Sequence, residues 1–564
     1  MRSAVCALNS KYIHSSLAPW CLLAGVRAFA PEKAEGLTIL EGTINQSDQA
    51  LLELLEGDYE LIAFSCYIWN ISTVRRLLPM VKERHPNARI LLGGPEVSYN
   101  PREVLTENTA VDMILCGEGE KPFALLLCAL AGEGQLSEVP GLCFRASGEL
   151  VVQAPYISAE EPPSPYCPEY FQRLGGRMAY LETSRGCPFS CTFCLSGRGG
   201  GVRLFSIERA KRELVQMANS GTRTVKLVDR TFNCNPARTR ALCAFLIAES
   251  GRAFPSDICF HFEVEGDLFD PETIRLLATA PKGLFQMEVG LQSFYPKTLS
   301  AIRRNPSTEK LSRVITQLLA PRNIHIHIDL IAGLPYETFS LFADSFDSAY
   351  QLRPDMLQLG FLKLLHGAAL RDSAVEDGCR FSKQPPYEIQ EGRWISKEEL
   401  ARLHETEDAL ERLYNSGRFH RTMEYVLEAS GLSPFAFYSE FGAHMARIGE
   451  PKMGLDDYIA HFYEYAQKLP GVQEPLLRDA LAEDRIATNS TGRLPKALLR
   501  RDPRLKQAVL AIQQRSPLAK GTKRGTALLY GRSAVVFADY LDKDPVTGEY
   551  PLCEFSFAQL GLAE

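Results

Sequence analysis

Three cysteines lie close together in one short stretch of the chain. Cys187, Cys191 and Cys194 have the spacing C-x3-C-x2-C. Three thiolates on one loop can hold three irons of a four-iron cluster and leave the fourth iron open. A structural iron–sulfur site normally uses four cysteines, so an open iron favours a further ligand. The alternatives are inert buried thiols or zinc, but zinc usually needs a second ligand pair, and no fourth ligand follows nearby.

The composition indicates a multidomain globular protein. The 564 residues are too many for one core, and roughly two to four domains are expected. A net charge of −6 gives no overall bias toward nucleic acid or anionic membranes. We expect no membrane span, because no apolar run approaches about 18 residues, and no signal peptide. The 15 cysteines, mostly isolated in apolar stretches, predict a reducing, cytoplasmic location and no disulfide framework.

The N-terminal module, residues 1–145, alternates apolar runs with amphipathic helical patterns. An apolar run at 61–66 precedes a helical pattern at 73–84, and a second run follows at 89–92. This alternation predicts a doubly wound, Rossmann-like parallel sheet. Ligands of such sheets bind beyond the carboxyl ends of the strands, where glycine allows close backbone approach. The glycines expected there are Gly93, Gly94, Gly117 and Gly119, and a tight turn is the structural alternative for each.

Strand and helix patterns also alternate in residues 178–370. Six βα-type repeats predict a partial or full parallel (β/α) barrel, with functional residues at the carboxyl ends of its strands. The predicted strands lie near 178–183, 224–228, 258–264, 284–290, 325–331 and 356–361. Between the two modules, residues 146–177 are rich in proline and predict an extended connector.

The C-terminal region, residues 371–564, is predicted to be mainly helical, with helices near 397–414, 419–430 and 433–445. Residues 532–540 alternate and are predicted to start a β-hairpin that ends near 547–550. Between Arg485 and Arg532 the chain is rich in Lys and Arg, and Asp502 is the only acid. This segment is a candidate for binding nucleic acid, an acidic substrate or a partner, and a solvated basic face is the alternative.

The cysteine run resembles the signature of the radical S-adenosylmethionine (SAM) superfamily. Arg185 and Gly186 before the first cysteine, and Phe193 between the last two, match that signature. The resemblance implies a [4Fe–4S] cluster held by Cys187, Cys191 and Cys194. Its open iron would bind the amino and carboxylate groups of SAM.

The N-terminal module resembles the cobalamin-binding domain found before many radical SAM cores. The matching stretches are Ser65 with Trp69-Asn70, Gly93-Gly-Pro-Glu and Gly117-Glu-Gly-Glu. The Asp-x-His-x-x-Gly motif that gives cobalt a histidine is absent, so the resemblance implies cobalamin bound without that ligand. We expect His14 to be a polar or supporting residue. The residues implied for cobalamin are Ser65, Trp69, Gly93, Gly94, Gly117 and Gly119.

The barrel region resembles the coproporphyrinogen-oxidase-like and cobalamin-dependent branches of the superfamily. The matching stretches are Phe262-Glu-Val, Val289-Gly-Leu-Gln-Ser, Ile302-Arg-Arg-Asn and Ile328-Asp-Leu-Ile-Ala-Gly-Leu-Pro. The residues that this resemblance implies for SAM are Glu263, Gln292, Ser293, Arg303 and Asp329. A carboxylate suits the ribose hydroxyls and an arginine suits the SAM carboxylate, and Arg304 leaves open which arginine serves. Glu288 and Tyr180 are the candidates for a general acid or base.

The resemblance to the cobalamin-dependent radical SAM family implies an enzyme that generates a 5′-deoxyadenosyl radical and methylates an unactivated carbon. It also implies an electron donor such as flavodoxin or ferredoxin, and the substrate is unknown. One alternative is oxidation, ring rearrangement or cyclisation without methyl transfer. Another is a non-catalytic RNA-binding or scaffold protein that uses the basic segment. Residues 371–564 resemble only a domain of unknown function that accompanies these enzymes, and they are a candidate for substrate binding.

Overall fold

The computed structural model describes residues 1–563 except Ser147, Asn305, Pro451, Ala519 and Lys520. The chain forms two compact units. The first consists of Met1–Leu276, Ile302–Arg304 and Leu362–Gln390, and the second of Leu277–Ala301, Asn305–Phe361 and Glu391–Glu564.

The N-terminal part of the first unit is built on a mixed β-sheet. Its strands, in spatial order, are Leu37–Thr43, Ser3–Asn9, Leu61–Ser65, Arg89–Gly93, Met113–Leu115, Leu142–Ala146 and Glu149–Val151. The first five are parallel, and the last two continue the sheet in antiparallel pairing. The chain reverses its winding between Ser3–Asn9 and Leu61–Ser65, and such a switch point opens a crevice at the carboxyl edge.

Helices cover both faces of this sheet because successive strand residues point to opposite sides. Phe64 packs into one apolar cluster and Ala63 into the other. The helices that contribute side chains to the Phe64 cluster are Asp48–Leu54, Ile71–Arg84, Pro95–Ser98 and Pro101–Glu107. Those that contribute to the Ala63 cluster are Ala18–Phe29 and Glu120–Leu130. The predicted doubly wound α/β domain is confirmed.

The remainder of the first unit holds three parallel strands among its described residues: Ala179–Leu181, Thr224–Leu227 and Cys259–Val264. An antiparallel ribbon of Ser184–Arg185 and Arg203–Leu204 flanks the cysteine run. The accompanying helices are Pro168–Leu174, Ile207–Ala218, Pro236–Glu249, Pro271–Leu277 and Ala369–Ser373, and the strands Arg380–Phe381 and Ile389–Glu391 pair with each other.

One part of the predicted connector is helical rather than extended. Pro168–Leu174 forms two turns of helix, with Pro168 at its first position, where proline sacrifices no helical hydrogen bond. Tyr170 and Leu174 are buried on one face of this helix. The proline count favoured an extended chain, but tertiary burial of these side chains stabilises a short helix.

The second unit contains a parallel set of strands, Phe285–Gln292, His325–Ala332 and Met356–Phe361. Met287, Val289, Ile326 and Ile328 are fully or almost fully buried. Polar residues alternate with them, and they include Glu288, His327 and Asp329. Because side chains alternate along a strand, one face of this sheet is apolar and the other is polar. The accompanying helices are Pro296–Ala301, Thr308–Leu319 and Phe339–Gln351.

The C-terminal part of the second unit is mainly helical, as predicted. Its helices are Lys397–Leu410, His420–Ser430, Pro434–Ile448, Leu455–Ala466, Glu474–Thr488 and Arg504–Arg515. Arg524–Leu529, Ala534–Asp539 and Cys553–Ser556 form an antiparallel sheet. The predicted antiparallel pairing of Ala534–Asp539 with a following strand is present, but that strand is Cys553–Ser556 rather than residues near 547–550. Ala534–Asp539 also pairs with the strand before it. Among the helices that the structure describes, none combines the length and apolar character that a membrane crossing requires.

Candidate functional site

A cavity of about 760 Å³ opens at the carboxyl edge of the N-terminal sheet. Asn9, Ser65, Gly93 and Leu115 line it, and each is the last residue of a different parallel strand. This edge includes the switch point between Ser3–Asn9 and Leu61–Ser65, where doubly wound sheets bind ligands. The sheet topology therefore accounts for the position of the cavity.

The residues implied for cobalamin all line this cavity: Ser65, Trp69, Gly93, Gly94, Gly117 and Gly119. Gly117 has a φ of +90°, and a Cβ there would lie 2.2 Å from the carbonyl oxygen of Tyr156, so the turn itself requires glycine. A Cβ on Gly93 would meet the carbonyl oxygen of Leu115 at 3.5 Å, an ordinary contact. The fold does not demand glycine at Gly93, which leaves bare backbone in the cavity wall.

The cavity wall also presents a flat aromatic pair. The rings of Tyr67 and Trp69 stack with centroids 4.4 Å apart and planes 5° apart. Trp69 Nε1 donates a hydrogen bond to the Leu8 carbonyl oxygen at 3.2 Å, and 45% of Trp69 is exposed. Ser65 Oγ is buried and has no hydrogen-bond partner within the described part of the chain. A large flat ligand with peripheral hydrogen-bonding groups fits this wall.

Side chains from the cysteine-bearing part of the unit line the cavity too. They include Tyr180 and Glu263. Glu263 lies 3.8 Å from Lys226 Nζ and 3.7 Å from Arg230 Nη1, measured to its carboxylate oxygens. These contacts place a carboxylate between two cations in the wall.

A second polar pair in the wall joins Tyr180 to His14. The Tyr180 hydroxyl lies 2.7 Å from His14 Nδ1. Burial lowers the pKa of His14, and the charges of Lys11 and Lys226 lower it further. The imidazole is therefore neutral near pH 7 and holds the Tyr180 hydroxyl in place. This contact agrees with the supporting role expected for His14.

Arg185 links the cysteine run to the cavity. Its guanidinium lies 3.1 Å from Glu118, 2.5 Å from Glu120 and 2.9 Å from Glu182. Burial lowers the pKa of Arg185, but Glu182 and Glu120 outweigh burial and raise it. Arg203 pairs with the other oxygen of Glu118. The two carboxylates of the Gly117-Glu-Gly-Glu stretch therefore serve as anchors for this link.

The three cysteines lie on a partly buried loop, and all are free thiols. Cys187 Sγ lies 3.2 Å from Thr231 Oγ1, and the Ser196 N–H donates to Cys194 Sγ at 3.4 Å. Arg304 Nη1 donates to Cys191 Sγ at 4.0 Å. Burial raises the pKa of Cys191, and Arg304 opposes this rise. Positive charge and hydrogen-bond donors near sulfur favour thiolates, which are the metal-binding form of cysteine.

Asp229 anchors the chain just before this loop. Its carboxylate accepts hydrogen bonds from the Thr183 N–H at 2.7 Å, the Thr183 hydroxyl at 2.6 Å and the Ser184 hydroxyl at 2.7 Å. Burial raises the pKa of Asp229, and these donors oppose the rise. The sequence alone does not reveal this role of Asp229. The pairing of Thr183-Ser184 with a carboxylate 45 positions later leaves no local signal.

The structure places Arg304, rather than Arg303, beside the cysteine loop. Arg304 also forms an ion pair with buried Glu265. Burial raises the pKa of Glu265 to about 7, and Arg304 opposes this rise. Arg303 has an exposed side chain and a φ of +56°.

The other residues implied for SAM belong to the second unit. Gln292 is buried at a φ of +73°, where the register of the parallel pairing shifts. The Ser293 hydroxyl donates to Glu337 at 2.5 Å. Asp329 lies 2.9 Å from His327 Nε2, and Glu288, His327 and Asp329 offer ligand atoms within 4.8 Å of one another. The candidate acid or base Glu288 therefore lies in a polar cluster with His327.

The basic C-terminal segment is locally balanced by acids. The ion pairs are Arg485–Asp456, Arg500–Glu474, Arg504–Asp502, Arg524–Asp539 and Arg532–Glu483. Most of these acids lie outside the basic stretch of sequence, on other elements of the second unit. The pairing supports the solvated-face interpretation over a dedicated phosphate-binding surface.

Family models match three consecutive parts of the chain. A B12 binding domain matches residues 9–127, the radical SAM superfamily matches residues 181–349, and a protein of unknown function (DUF4080) matches residues 376–520.

Two relatives are 30% identical to the chain. One is 2-(S-pantetheinyl)-carbapenam-3-carboxylate methyltransferase of Streptantibioticus cattleyicolor, matched over 308 residues, 52% of this chain and 45% of that protein. The other is cobalamin-dependent radical SAM methyltransferase TokK of Streptomyces tokunonensis, matched over 319 residues, 52% of this chain and 46% of that protein. The chain thus spans about half the length of the curated relatives it matches.

A solved structure supports the fold. Radical SAM methyltransferase TsrM of Kitasatospora setae superposes with a TM-score of 0.56 at 18% identity, over 69% of this chain and 79% of that chain. The chain carries a B12-binding domain, a radical SAM domain and a C-terminal domain of unknown function.

Proposed function

We propose that the chain is a cobalamin-dependent radical SAM methyltransferase that acts on an unactivated carbon. The observation that carries this proposal is the link through Arg185. This residue lies two positions before Cys187 and pairs with Glu118 and Glu120 of the cavity wall. The three-cysteine loop and the glycine-lined cavity are therefore joined within one compact unit, as a reaction that needs both cofactors requires.

The residues present fit both cofactors. Cys187, Cys191 and Cys194 would hold three irons of a [4Fe–4S] cluster and leave the fourth for SAM. Trp69, the bare backbone of Gly93 and the unpaired hydroxyl of Ser65 would hold a corrin. When bound, the cluster supplies the electron that cleaves SAM, and cobalamin supplies a transferable methyl group.

The protein's own part is to bind, orient and exclude water. Arg304 holds positive charge beside Cys191, which favours the thiolate. The stacked rings of Tyr67 and Trp69 offer an apolar surface that excludes water from one side of the cavity.

For SAM we propose Glu263, Gln292, Ser293, Asp329 and an arginine of the Arg303–Arg304 pair. The contact between Arg304 and Cys191 favours Arg304 as that arginine. The Ser293 hydroxyl already donates to Glu337, which favours a positioning role for it over direct contact with SAM.

Tyr180 and Glu288 remain the proposed proton-transfer residues. The Tyr180 hydroxyl faces the cavity and is held by neutral His14, which can accept its proton. Glu288 shares its polar cluster with His327, which can serve the same purpose.

Both relatives described above are named methyltransferases, which favours methyl transfer over the alternatives. We propose residues 1–145 as the cobalamin-binding domain, 146–177 as the linker, 178–370 as the radical SAM barrel and 371–564 as a substrate-binding domain. A flavodoxin or ferredoxin would supply electrons, and the cytoplasm would provide the reducing environment. The substrate is unidentified.

Anaerobic cleavage of SAM tests this proposal. The full chain, reconstituted with iron, sulfide and hydroxocobalamin and reduced with dithionite, should release 5′-deoxyadenosine. Cys191→Ala should abolish release because only two cluster ligands remain. Cys128→Ala, a partly buried cysteine of helix Glu120–Leu130, serves as the matched control and should retain release. Equal release from the two variants would refute the assignment of the loop.

A further inference from the structure

The segment Leu362–Gln390 packs within the first unit, although it follows strands of the second in sequence. Its two ends are tied together. The Leu364 N–H donates to the Tyr387 carbonyl oxygen, and the Ile389 N–H donates to the Leu362 carbonyl oxygen, both at 2.9 Å. The residues between these ties form a closed loop, which is called the 362–390 loop below.

One turn of the 362–390 loop lies directly against the cavity wall. Gly367 has a φ of +86°, and a Cβ there would lie 2.3 Å from Cγ and 2.5 Å from Cδ1 of Tyr99. Tyr99 itself lines the cavity. The Tyr99 ring therefore rests on the bare backbone of Gly367, and any side chain at this position would displace the ring.

The same turn holds the cysteine loop. Three residues after Gly367, the Leu370 N–H donates to the Thr192 carbonyl oxygen at 2.8 Å. Thr192 directly follows Cys191. A stretch of four residues thus touches both the cavity wall and the loop that carries the cluster ligands.

A buried hydrogen bond fixes the 362–390 loop to the wall a second time. The Tyr387 hydroxyl donates to the Glu96 carboxylate, and both side chains are almost fully buried. Glu96 follows Gly93, Gly94 and Pro95, which line the cavity. The Arg371 guanidinium lies 5.0 Å from the centroid of the Tyr387 ring and helps to hold it.

We propose that the 362–390 loop is a positioning element for the bound corrinoid, and that it acts by setting the place of Tyr99 in the cavity wall relative to the cysteine loop. This inference rests on the proposed function, because it requires cobalamin in the cavity. It assigns a role to a stretch that begins after the radical SAM match and runs into the match to the domain of unknown function.

A pair of glycine substitutions tests this role. Gly367→Ala adds a methyl group against Tyr99. Gly378→Ala is the matched control, since Gly378 has a similar φ of +69° and a Cβ there meets no described atom within 4 Å. Both variants carry the same kind of backbone strain, so any difference between them reports the contact with Tyr99.

Hydroxocobalamin is titrated into the full-length, cobalamin-free protein and followed by absorbance. Gly367→Ala should raise the dissociation constant about tenfold or more, as overpacking predicts, and Gly378→Ala by no more than about twofold. The iron content after reconstitution should stay unchanged in both, because the bond from Leu370 to Thr192 uses backbone atoms. In a Tyr99→Ala background, Gly367→Ala should add no further loss.

Equal affinities of the two glycine variants would overturn the inference. The inference would also be overturned if Gly367→Ala weakened cobalamin binding by the same factor in the Tyr99→Ala background. The two glycine variants should have the same melting temperature without cobalamin. If Gly367→Ala melts at a lower temperature and its loss of binding follows this loss of stability, the effect is not local to the Tyr99 contact. If the unmodified protein takes up no hydroxocobalamin, the proposed function fails, and this inference fails with it.

Discussion

At the residue scale, single buried carboxylates hold the functional loops in place. Asp229 accepts three hydrogen bonds at the start of the cysteine loop, and Glu337 accepts two beside Gln292. Both are buried, and burial raises the pKa of each. Loss of such a group costs more than one hydrogen bond, because its donors stay behind without partners.

Asp229→Ala should destabilise the protein and impair cluster uptake. The variant leaves the Thr183 and Ser184 donors unpaired, and we expect the free energy of unfolding to fall by about 2–4 kcal/mol. Urea unfolding measures this loss, and iron analysis measures the cluster. Asp58→Ala, at an exposed aspartate, is the control and should change stability by less than about 0.5 kcal/mol. An iron content unchanged in Asp229→Ala would contradict the anchoring role.

Glu337→Gln should alter the pH dependence of stability. Burial raises the pKa of Glu337 to about 7, and the hydroxyls of Ser293 and Ser345 oppose the rise. The folded protein thus favours the protonated acid, so this stabilisation is full below the ordinary glutamate pKa and is lost as pH rises through about 7. Glutamine keeps an acceptor but cannot ionise.

The free energy of unfolding of Glu337→Gln, relative to the unmodified protein, should therefore increase by about 3 kcal/mol between pH 5 and pH 8. Denaturant unfolding at both pH values measures this difference. Glu309→Gln, at an exposed glutamate, provides the control and should show no such trend. If the difference in free energy of unfolding between Glu337→Gln and the unmodified protein is the same at pH 5 and pH 8, the raised pKa of Glu337 is contradicted.

At this scale, candidate ligand residues are easier to recognise from the sequence than the residues that support them. The cysteines and the glycines at strand ends are recognisable from local spacing. Asp229 and Tyr387 act on partners far away in sequence, and their roles emerge only from tertiary contacts. Which of Arg303 and Arg304 lies beside the cysteine loop depends on the backbone conformation, and the sequence of two adjacent arginines does not show it.

At the element scale, Arg185 ties the short ribbon strand Ser184–Arg185 to the turn before helix Glu120–Leu130. Arg185→Ala should lower the free energy of unfolding by about 3–5 kcal/mol, because it leaves buried Glu120 and partly buried Glu182 without their shared cation. Thermal and denaturant unfolding measure the loss, and hydroxocobalamin uptake should fall with it.

Arg27→Ala is the matched control for this change. Arg27 pairs with Glu169 at 2.7 Å, but both side chains are more than 40% exposed. Removal of an exposed pair should cost less than about 1 kcal/mol. Similar losses for the two arginine variants would mean that burial does not distinguish the two ion pairs.

The types of most elements were predictable from the sequence. The strands of the parallel sheets are continuous apolar runs, and the helices between them show helical periodicity. The failures have physical causes. Pro168–Leu174 forms a helix because Tyr170 and Leu174 find a buried surface. Ala534–Asp539 pairs with a strand on each side in sequence, and the following one is Cys553–Ser556 rather than a strand near 547–550. The local pattern of apolar and polar residues does not show which side chains are buried against distant residues or which strands pair.

At the scale of the whole molecule, the two proposed cofactor sites lie in one compact unit. The cavity lies at the switch point of the N-terminal sheet, and the cysteine loop follows Ala179–Leu181. Arg185 and the 362–390 loop connect the two sites. This arrangement explains why a flat, glycine-lined cavity and a three-cysteine loop occur together.

The basic segment belongs to this scale as well. Five of its arginines are paired with acids of the second unit, so we expect weak binding to RNA. In a gel-shift titration at about 0.15 M salt, Arg500→Ala combined with Arg501→Ala should change affinity little. Tight binding that these substitutions abolish would favour the nucleic-acid alternative.

The most direct test of the central claim is electron paramagnetic resonance of the reduced, anaerobically reconstituted full chain, recorded with and without SAM. An open iron predicts a [4Fe–4S] signal that changes shape when SAM is added and that Cys191→Ala removes. A cluster signal indifferent to SAM, or a protein that retains zinc in place of iron, would contradict the account.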